Sequence, residues 1–419
     1  MHFLKNIIKD SLIKNSIYLI TTNILNLILG FFFWIIAARK YSSDDVGIAS
    51  TLISSMFLIV LISTFGFQTA FQFFLPRDRK NAKKIINSCL TTSIIASLLF
   101  SLIFIIGIDI WASPLKLILN DLKLASSFIL ITTAMTVSGI ISGAFIAGKK
   151  SSFHMTKETF FGFMKIIPLP FLMYFSAMGI YFAWGIGLMI SIILGFVLLP
   201  LAWKDYFPFP EFDPIIKKMA VFSAGNYLVG FFNNFPRLVL PIIIVNISSP
   251  ESTGYFFIAM TTAGLLYGIP QSFSTSLLAE SSESGEFRDK VIKAIKFNCI
   301  FLLPGIFLFI LLGKFVLNLF NPNYGENAST TLAILTLTSI PISIISIFTV
   351  IKNVQKRIPS IVKINAAIAI VTLALSIPFI GIFGIEGAAL SYFLANTVCA
   401  FIVIYLMKSN FIHLRAIID

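Results

Sequence analysis

Apolar residues run along the chain in stretches of roughly 17 to 27 positions separated by short polar turns, a length that suits helices crossing a bilayer. Twelve such stretches are read, near residues 15–38, 46–70, 85–108, 125–148, 160–177, 179–202, 219–245, 254–279, 297–315, 328–351, 364–380 and 383–407. The polar segments between them are too short to form a separate catalytic domain. The longest turn on the side opposite the termini, between the third and fourth stretches, holds Asp109, Lys116, Asp121 and Lys123. An integral-membrane glycan polymerase or ligase is expected to present a larger loop there, with basic and acidic groups for transfer chemistry.

Composition sharpens this picture. Of 419 residues, 57% are hydrophobic and 12% charged, whereas soluble domains carry about 25% charged residues. The chain is therefore read as an all-α, multi-pass integral membrane protein. Its net charge of +13 raises the possibility of a nucleic-acid partner, and the distribution of that charge decides the matter. With the N-terminus placed in the cytoplasm, 24 of the 31 Lys and Arg residues fall on the inner side. Five fall outside (Arg39, Lys40, Lys116, Lys123, Lys314), and two, Lys165 and Arg237, fall within spans. Basic loops face the cytoplasm, so both termini are expected there. The basic residues are spread over every inner loop rather than massed on one surface, which removes nucleic acid as a partner.

Cys89, Cys299 and Cys399 each lie in an apolar run, without paired or metal-like spacing, and read as small core residues. His2, His154 and His413 are assigned to loops or tails, apart from any cluster that would ligate a metal. No metal or cofactor is expected. Phe3, Leu4, Ile7, Ile8 and Leu12, interleaved with Lys5, Lys9 and Lys14, suit an interfacial helix rather than a cleaved signal.

The chain matches itself at an offset of about 206 residues. SSDDVG (Ser42 to Gly47) aligns with SPESTG (Ser249 to Gly254), and MGIYFAWG (Met178 to Gly185) with FGIEGAAL (Phe383 to Leu390). Six spans per repeat is an even number, so the repeats are parallel, related by an axis along the membrane normal. The expected architecture is two six-helix lobes around a central cleft that opens alternately by rocking. The divisions are an interfacial segment at 1–14, an N-lobe at 15–202, a linker at 203–218, a C-lobe at 219–407 and a cytoplasmic tail at 408–419.

The chemistry concentrates in spans one and seven. Asn226, Gly230, Asn233 and Arg237 follow helical spacing on one face. Their repeat counterparts in span one are Leu19, Asn23, Asn26 and Gly30. The asparagines serve either as interhelical glue or as the lining of a shared cavity. Arg237 either snorkels to the outer interface or faces a partner or a wet cavity, because a charge near the bilayer centre costs at least about 3 kcal/mol. Pro236 and Pro241 loosen the helix around it. Lys165, in span five, either snorkels or joins the cavity. The acids Asp109, Glu280 and Glu386 fall at span ends, so no deep carboxylate is expected to bind sodium or a proton. Arginine and asparagine without a buried acid suit an anionic substrate bearing hydroxyl groups, such as a sugar phosphate.

Four stretches carry a family resemblance: IPFIGIFGIEGAALSYFLAN (Ile377 to Asn396), LFNPNYGENA (Leu319 to Ala328), ARKYSSDDVGIAS (Ala38 to Ser50) and PRLVLPIIIVNISSPESTGYFFIA (Pro236 to Ala259). Taken in chain order, on twelve spans, they resemble the O-antigen flippase (Wzx-type) branch of the multidrug/oligosaccharidyl-lipid/polysaccharide exporter superfamily. The resemblance covers nearly the whole chain. It implies a non-enzymatic transporter in a prokaryotic cell membrane, moving a polyprenyl-pyrophosphate-linked oligosaccharide to the outer leaflet, with glycan-assembly proteins as possible partners. Arg237 matches the arginine of the family's Asp-Arg pair, while Pro236 stands in place of the acid. Gly254, Gly384, Gly387, Ala388 and Ala389 match packing positions. The competing expectations are a cation-coupled multidrug exporter of the same superfamily, a membrane-embedded glycan polymerase or acyltransferase, and a non-transporting scaffold.

Overall fold

The computed structural model describes residues 11–280 and 287–418, and divides into two compact units that meet in sequence at Tyr227 and Leu228, within one helix. The interfacial helix expected over 1–14 lies almost wholly outside the described residues, and His2 with it. The described secondary structure is helical. Among the described residues, nine segments are long and apolar enough to cross a membrane. One of them, Ile358–Met407, has 50 residues, about 75 Å of helix, which is more than twice the thickness of a bilayer core. It is bent at Gly384 (φ 59, ψ −135), so it supplies spans eleven and twelve. The fifth and eighth expected spans correspond to the helices Ser151–Ile166 and Pro250–Glu280. Helices thus stand at all twelve expected places.

Bilayer immersion explains the surface. Ile20, Ile193, Phe307, Ile370 and Phe401 are each exposed by 60% or more. Apolar exposure on this scale, costly in water, is the ordinary condition of a helix face in hydrocarbon.

Two expectations about individual spans are corrected, and with them two about single residues. The second, expected unbroken to residue 70, stops at Ser63, and the chain resumes as Phe67–Arg77 after Phe65 (φ 48) and Gly66 (φ 71). Gly66 is required here, since its backbone is left-handed and a Cβ would stand 2.8 Å from the Cβ of Tyr227. The fifth span lies about nine residues earlier than hydropathy placed it, at Ser151–Ile166. Hydropathy rejected Lys157 and Glu158, yet Lys157 is fully buried and paired with Glu158 at 2.8 Å; Pro168 and Pro170 then end the helix in short 3-10 turns. His154, assigned to a loop, is consequently helical. Cys89 and Cys399 are buried as expected, whereas Cys299 is exposed.

The repeated stretches perform the same local work in each unit. The Ser42 hydroxyl caps the helix Ser43–Ser63, accepting from the Asp45 N–H at 3.1 Å. The Ser249 hydroxyl caps Pro250–Glu280, accepting from the Ser252 N–H at 3.1 Å. Ser176 (φ 50, ψ −136) opens the helix Ser176–Ala202 with nearly the backbone conformation of Gly384. A Cβ on Gly179 would strike the Leu172 carbonyl, and one on Gly387 would strike the Phe379 carbonyl. These pairs set the local offset at 208, three residues from the alignment of Met178 with Phe383.

Residues 203–214 are fastened to unit 1. The Tyr206 hydroxyl donates to Asn87 Oδ1 at 2.7 Å, the Asn87 amide to the Phe207 carbonyl at 3.0 Å, and the Glu211 N–H to Thr91 Oγ1 at 3.1 Å. Asp213 then accepts from the Ile215 N–H at 2.7 Å and pairs with Lys84 at 2.9 Å, fixing the start of the helix Ile215–Ile247.

Candidate functional site

Arg237 lies in the helix Ile215–Ile247, whose interior also contains Pro236 and Pro241. Neither proline has an N–H to donate, so the carbonyls four residues earlier, those of Phe232 and Arg237, lose their intrahelical donors. Both residues line a cavity of about 360 Å³ within unit 2. Polar acceptors are thereby created on a helix that is otherwise strongly apolar.

The arginine is held in place by two tyrosines. Its Nε donates to the Tyr392 hydroxyl at 3.1 Å, and its guanidinium carbon lies 5.0 Å from the centre of the Tyr267 ring. Tyr267 is itself fixed, donating from its hydroxyl to the Leu335 carbonyl at 2.7 Å. Both tyrosines are buried. Among the described residues no carboxylate pairs with Arg237. Its charge therefore stays available to the cavity.

Amides and hydroxyls complete the lining. Asn233 stands one turn before Arg237, and Gln271 and Ser274 come from the helix Pro250–Glu280. Ser346, Thr349 and Asn353 follow along Ser339–Val354, and Asn365 and Asn396 come from either side of the Gly384 bend. Asn396 donates to the Tyr392 carbonyl at 2.8 Å and Asn365 to the Val229 carbonyl at 3.4 Å, so each side-chain oxygen is left as an acceptor. One cation among many neutral donors and acceptors matches a ligand with a concentrated negative charge and several hydroxyl groups.

The residues singled out in the sequence are only partly brought together. Arg237 and Asn233 share the unit 2 cavity; Asn226, Asn23, Asn26 and Lys165 belong to unit 1 and do not line it. Asn23 and Asn226 are exposed and Asn26 is half-buried. Lys165 is buried in a cage of rings, 4.2 Å from the centre of Trp184, 4.9 Å from Phe161 and 5.2 Å from Phe33. Gly187 permits this enclosure, since a Cβ there would lie 2.5 Å from the Lys165 backbone nitrogen.

Two groups escaped the sequence reading. Tyr392 and Asn396 lie inside the quoted stretch Ile377 to Asn396, where its glycines carry the family pattern. The other is Glu158, which accepts from Lys157 at 2.8 Å and from the Ser142 hydroxyl at 2.8 Å, while Lys157 also donates to Ser138 at 2.6 Å. The expectation of an interior without carboxylates therefore fails in unit 1. Glu158 is nevertheless matched by its lysine neighbour.

Residues 12–277 match the family model described as polysaccharide biosynthesis protein. No curated protein sequence matches the chain. Among solved structures, the lipid II flippase MurJ in an inward closed conformation is 16% identical, with a TM-score of 0.76 over 94% of this chain and 87% of its own. An inward-facing multidrug resistance MATE family transporter of the MOP superfamily is 13% identical, with a TM-score of 0.73 over 93% and 95%. A MOP superfamily transporter from Pyrococcus furiosus Vc1 is 10% identical, with a TM-score of 0.61 over 96% and 95%. At these identities the likeness is one of fold, which this chain shares with those three proteins.

Proposed function

The chain belongs to the polysaccharide biosynthesis protein family, and from that premise we propose that it carries a polyprenyl-diphosphate-linked oligosaccharide from the cytoplasmic to the outer leaflet of a prokaryotic cell membrane. The observation that carries this reading is Arg237 in a polar cavity, held by two tyrosines and unmatched by any described carboxylate. We assign the diphosphate to Arg237 and hydroxyl contacts to Asn233 and the other cavity amides. Asn226, Asn23, Asn26 and Lys165 are assigned to the part of the path in unit 1.

The energetics favour this direction. An anion moving outward from an inside-negative compartment gains about 2.3 kcal/mol per charge per 100 mV, so the head group needs no bound cation to drive it. Arg237 offsets part of the cost of bringing that head group into a low-dielectric interior. The prenyl chain stays in lipid, and alternating access exposes the head group on the far side.

A cation-coupled exporter of the same superfamily is the second reading, and Glu158 is the observation that favours it. Its pairing with Lys157 at 2.8 Å weighs against it, because a carboxylate already neutralised by lysine has little remaining attraction for sodium. Reconstituted vesicles separate the two. The flippase reading expects a diphosphate-linked oligosaccharide to reach the outer leaflet without a sodium or proton gradient. Gradient-dependent efflux of a cationic dye, with no movement of the glycolipid, would establish the exporter instead.

A further inference from the structure

A second cavity, of about 490 Å³, is formed in unit 1 by residues that take no part in the transport reading. Arg79, Lys80, Lys83, Lys150 and Lys204 converge on it, with a single acid, Asp205, and the buried Trp203 as a wall. Among the described residues none of the five cations is within ion-pair distance of a carboxylate.

The placement of these charges opposes helix electrostatics. Arg79, Lys80 and Lys83 stand at the N-terminus of Ala82–Ile106, and Lys150 immediately precedes Ser151–Ile166. Helix N-termini carry partial positive charge and favour anions. Four cations gathered at two such ends repel both the dipoles and one another, and a bound anion relieves all of these repulsions together. Backbone strain marks the same place. Lys149 (φ 56) and Asp205 (φ 60) are two of the five described non-glycine residues with positive φ, and they flank the cavity.

A lipid-facing stripe leads to this cavity. Ile193, Val197 and Leu201 are 65%, 63% and 65% exposed and lie four residues apart on one face of Ser176–Ala202, which ends at the cavity residues Ala202, Trp203 and Lys204. Trp203 is fixed by donation from its indole N–H to the Ala144 carbonyl at 3.2 Å, in the amphipathic position that tryptophan takes at a membrane interface. A molecule with acyl chains on the stripe and a phosphate among the cations satisfies both features.

We propose that this cavity binds the phosphate of an anionic phospholipid headgroup on the membrane face that carries the basic loops. The test uses the full chain in a neutral detergent, with thermal unfolding followed as phosphatidylglycerol, phosphatidylcholine or inorganic phosphate is added. Phosphatidylglycerol is expected to raise the midpoint saturably, with phosphatidylcholine inert. The Lys80→Gln/Lys83→Gln/Lys150→Gln variant should weaken the apparent affinity at least tenfold, and the charge-matched control Lys356→Gln/Arg357→Gln/Lys363→Gln should not. Equal weakening in both variants, or none in the first, overturns the proposal. Inorganic phosphate giving the same shift at the same concentration assigns the site to a soluble phosphate and overturns the lipid assignment. Native mass spectrometry of bound phosphatidylglycerol provides the same comparison for any variant whose unfolding is no longer cooperative.

Discussion

Trp184 and Tyr392 hold equivalent stations in the two halves of the chain, each eight residues beyond a matching backbone turn, Ser176 in one and Gly384 in the other. Each is an aromatic partner of a cation in its own unit. Trp184 packs 4.2 Å from Lys165, and Tyr392 accepts from Arg237 at 3.1 Å. The cations themselves come from non-equivalent helices, Ser151–Ile166 and Ile215–Ile247. The two stations are aromatic and the charges they meet differ in source: unit 1 seals Lys165 among rings, and unit 2 opens Arg237 to a cavity.

The matching turns predict opposite responses to substitution. Serine at φ 50, ψ −136 occupies a region used almost entirely by glycine. Ser176→Gly should therefore stabilise the protein by about 1 to 2 kcal/mol, and Gly384→Ala should destabilise it by about 1 to 3 kcal/mol. Thermal unfolding in detergent measures both. Destabilisation by Ser176→Gly would refute the strain argument.

Tyr392→Phe removes the acceptor for Arg237 while keeping the ring. Hydrogen bonds to charged groups contribute about 1.5 to 3 kcal/mol, so unfolding should shift by that order. The arginine, then held by the Tyr267 ring alone, should also bind its ligand less well. A variant with unchanged stability and unchanged transport would show that Tyr392 does not position the guanidinium.

Lys157 and Glu158 form a coupled pair. Glu158→Gln leaves a fully buried ammonium without its carboxylate, which should cost about 3 to 5 kcal/mol. Adding Lys157→Met should restore most of that loss. A double-mutant cycle on thermal stability measures the coupling, and strict additivity would count against a buried pair.

Asp213 supplies a pH dependence. The Ile215 N–H, aided by Lys84, holds its carboxyl below the ordinary carboxylate range. The resulting stability is present above the unfolded aspartate value of about 3.9 and is lost as pH falls through the lower folded value. Asp213→Asn should flatten the decline of the unfolding midpoint below about pH 5. An unchanged acid limb would show that the cap contributes nothing.

The sequence disclosed a great deal of this molecule and missed the rest for identifiable reasons. Span positions were legible because lipid demands long uninterrupted apolar helices, and Arg237 stood out because a charge in such a run is rare. The fifth span was misplaced because hydropathy scores Lys157 and Glu158 separately, whereas the fold buries them together. The break at Gly66 was hidden because a left-handed turn leaves no mark on hydropathy. Most of the cavity was illegible for a different reason. Asn365, Asn396 and Gln271 are single polar residues in apolar helices, and nothing local shows that three helices bring them to one place.

The central claim is that the Arg237 charge recognises the diphosphate of a lipid-linked oligosaccharide. The most direct measurement is the rate at which that glycolipid becomes accessible to an external glycosidase in reconstituted vesicles, with wild type, Arg237→Lys and Arg237→Ala compared at equal amounts of folded protein. The loss of one desolvated charge contact is expected to slow Arg237→Ala at least about tenfold, with Arg237→Lys falling between. Translocation by Arg237→Ala at the wild-type rate would contradict the account.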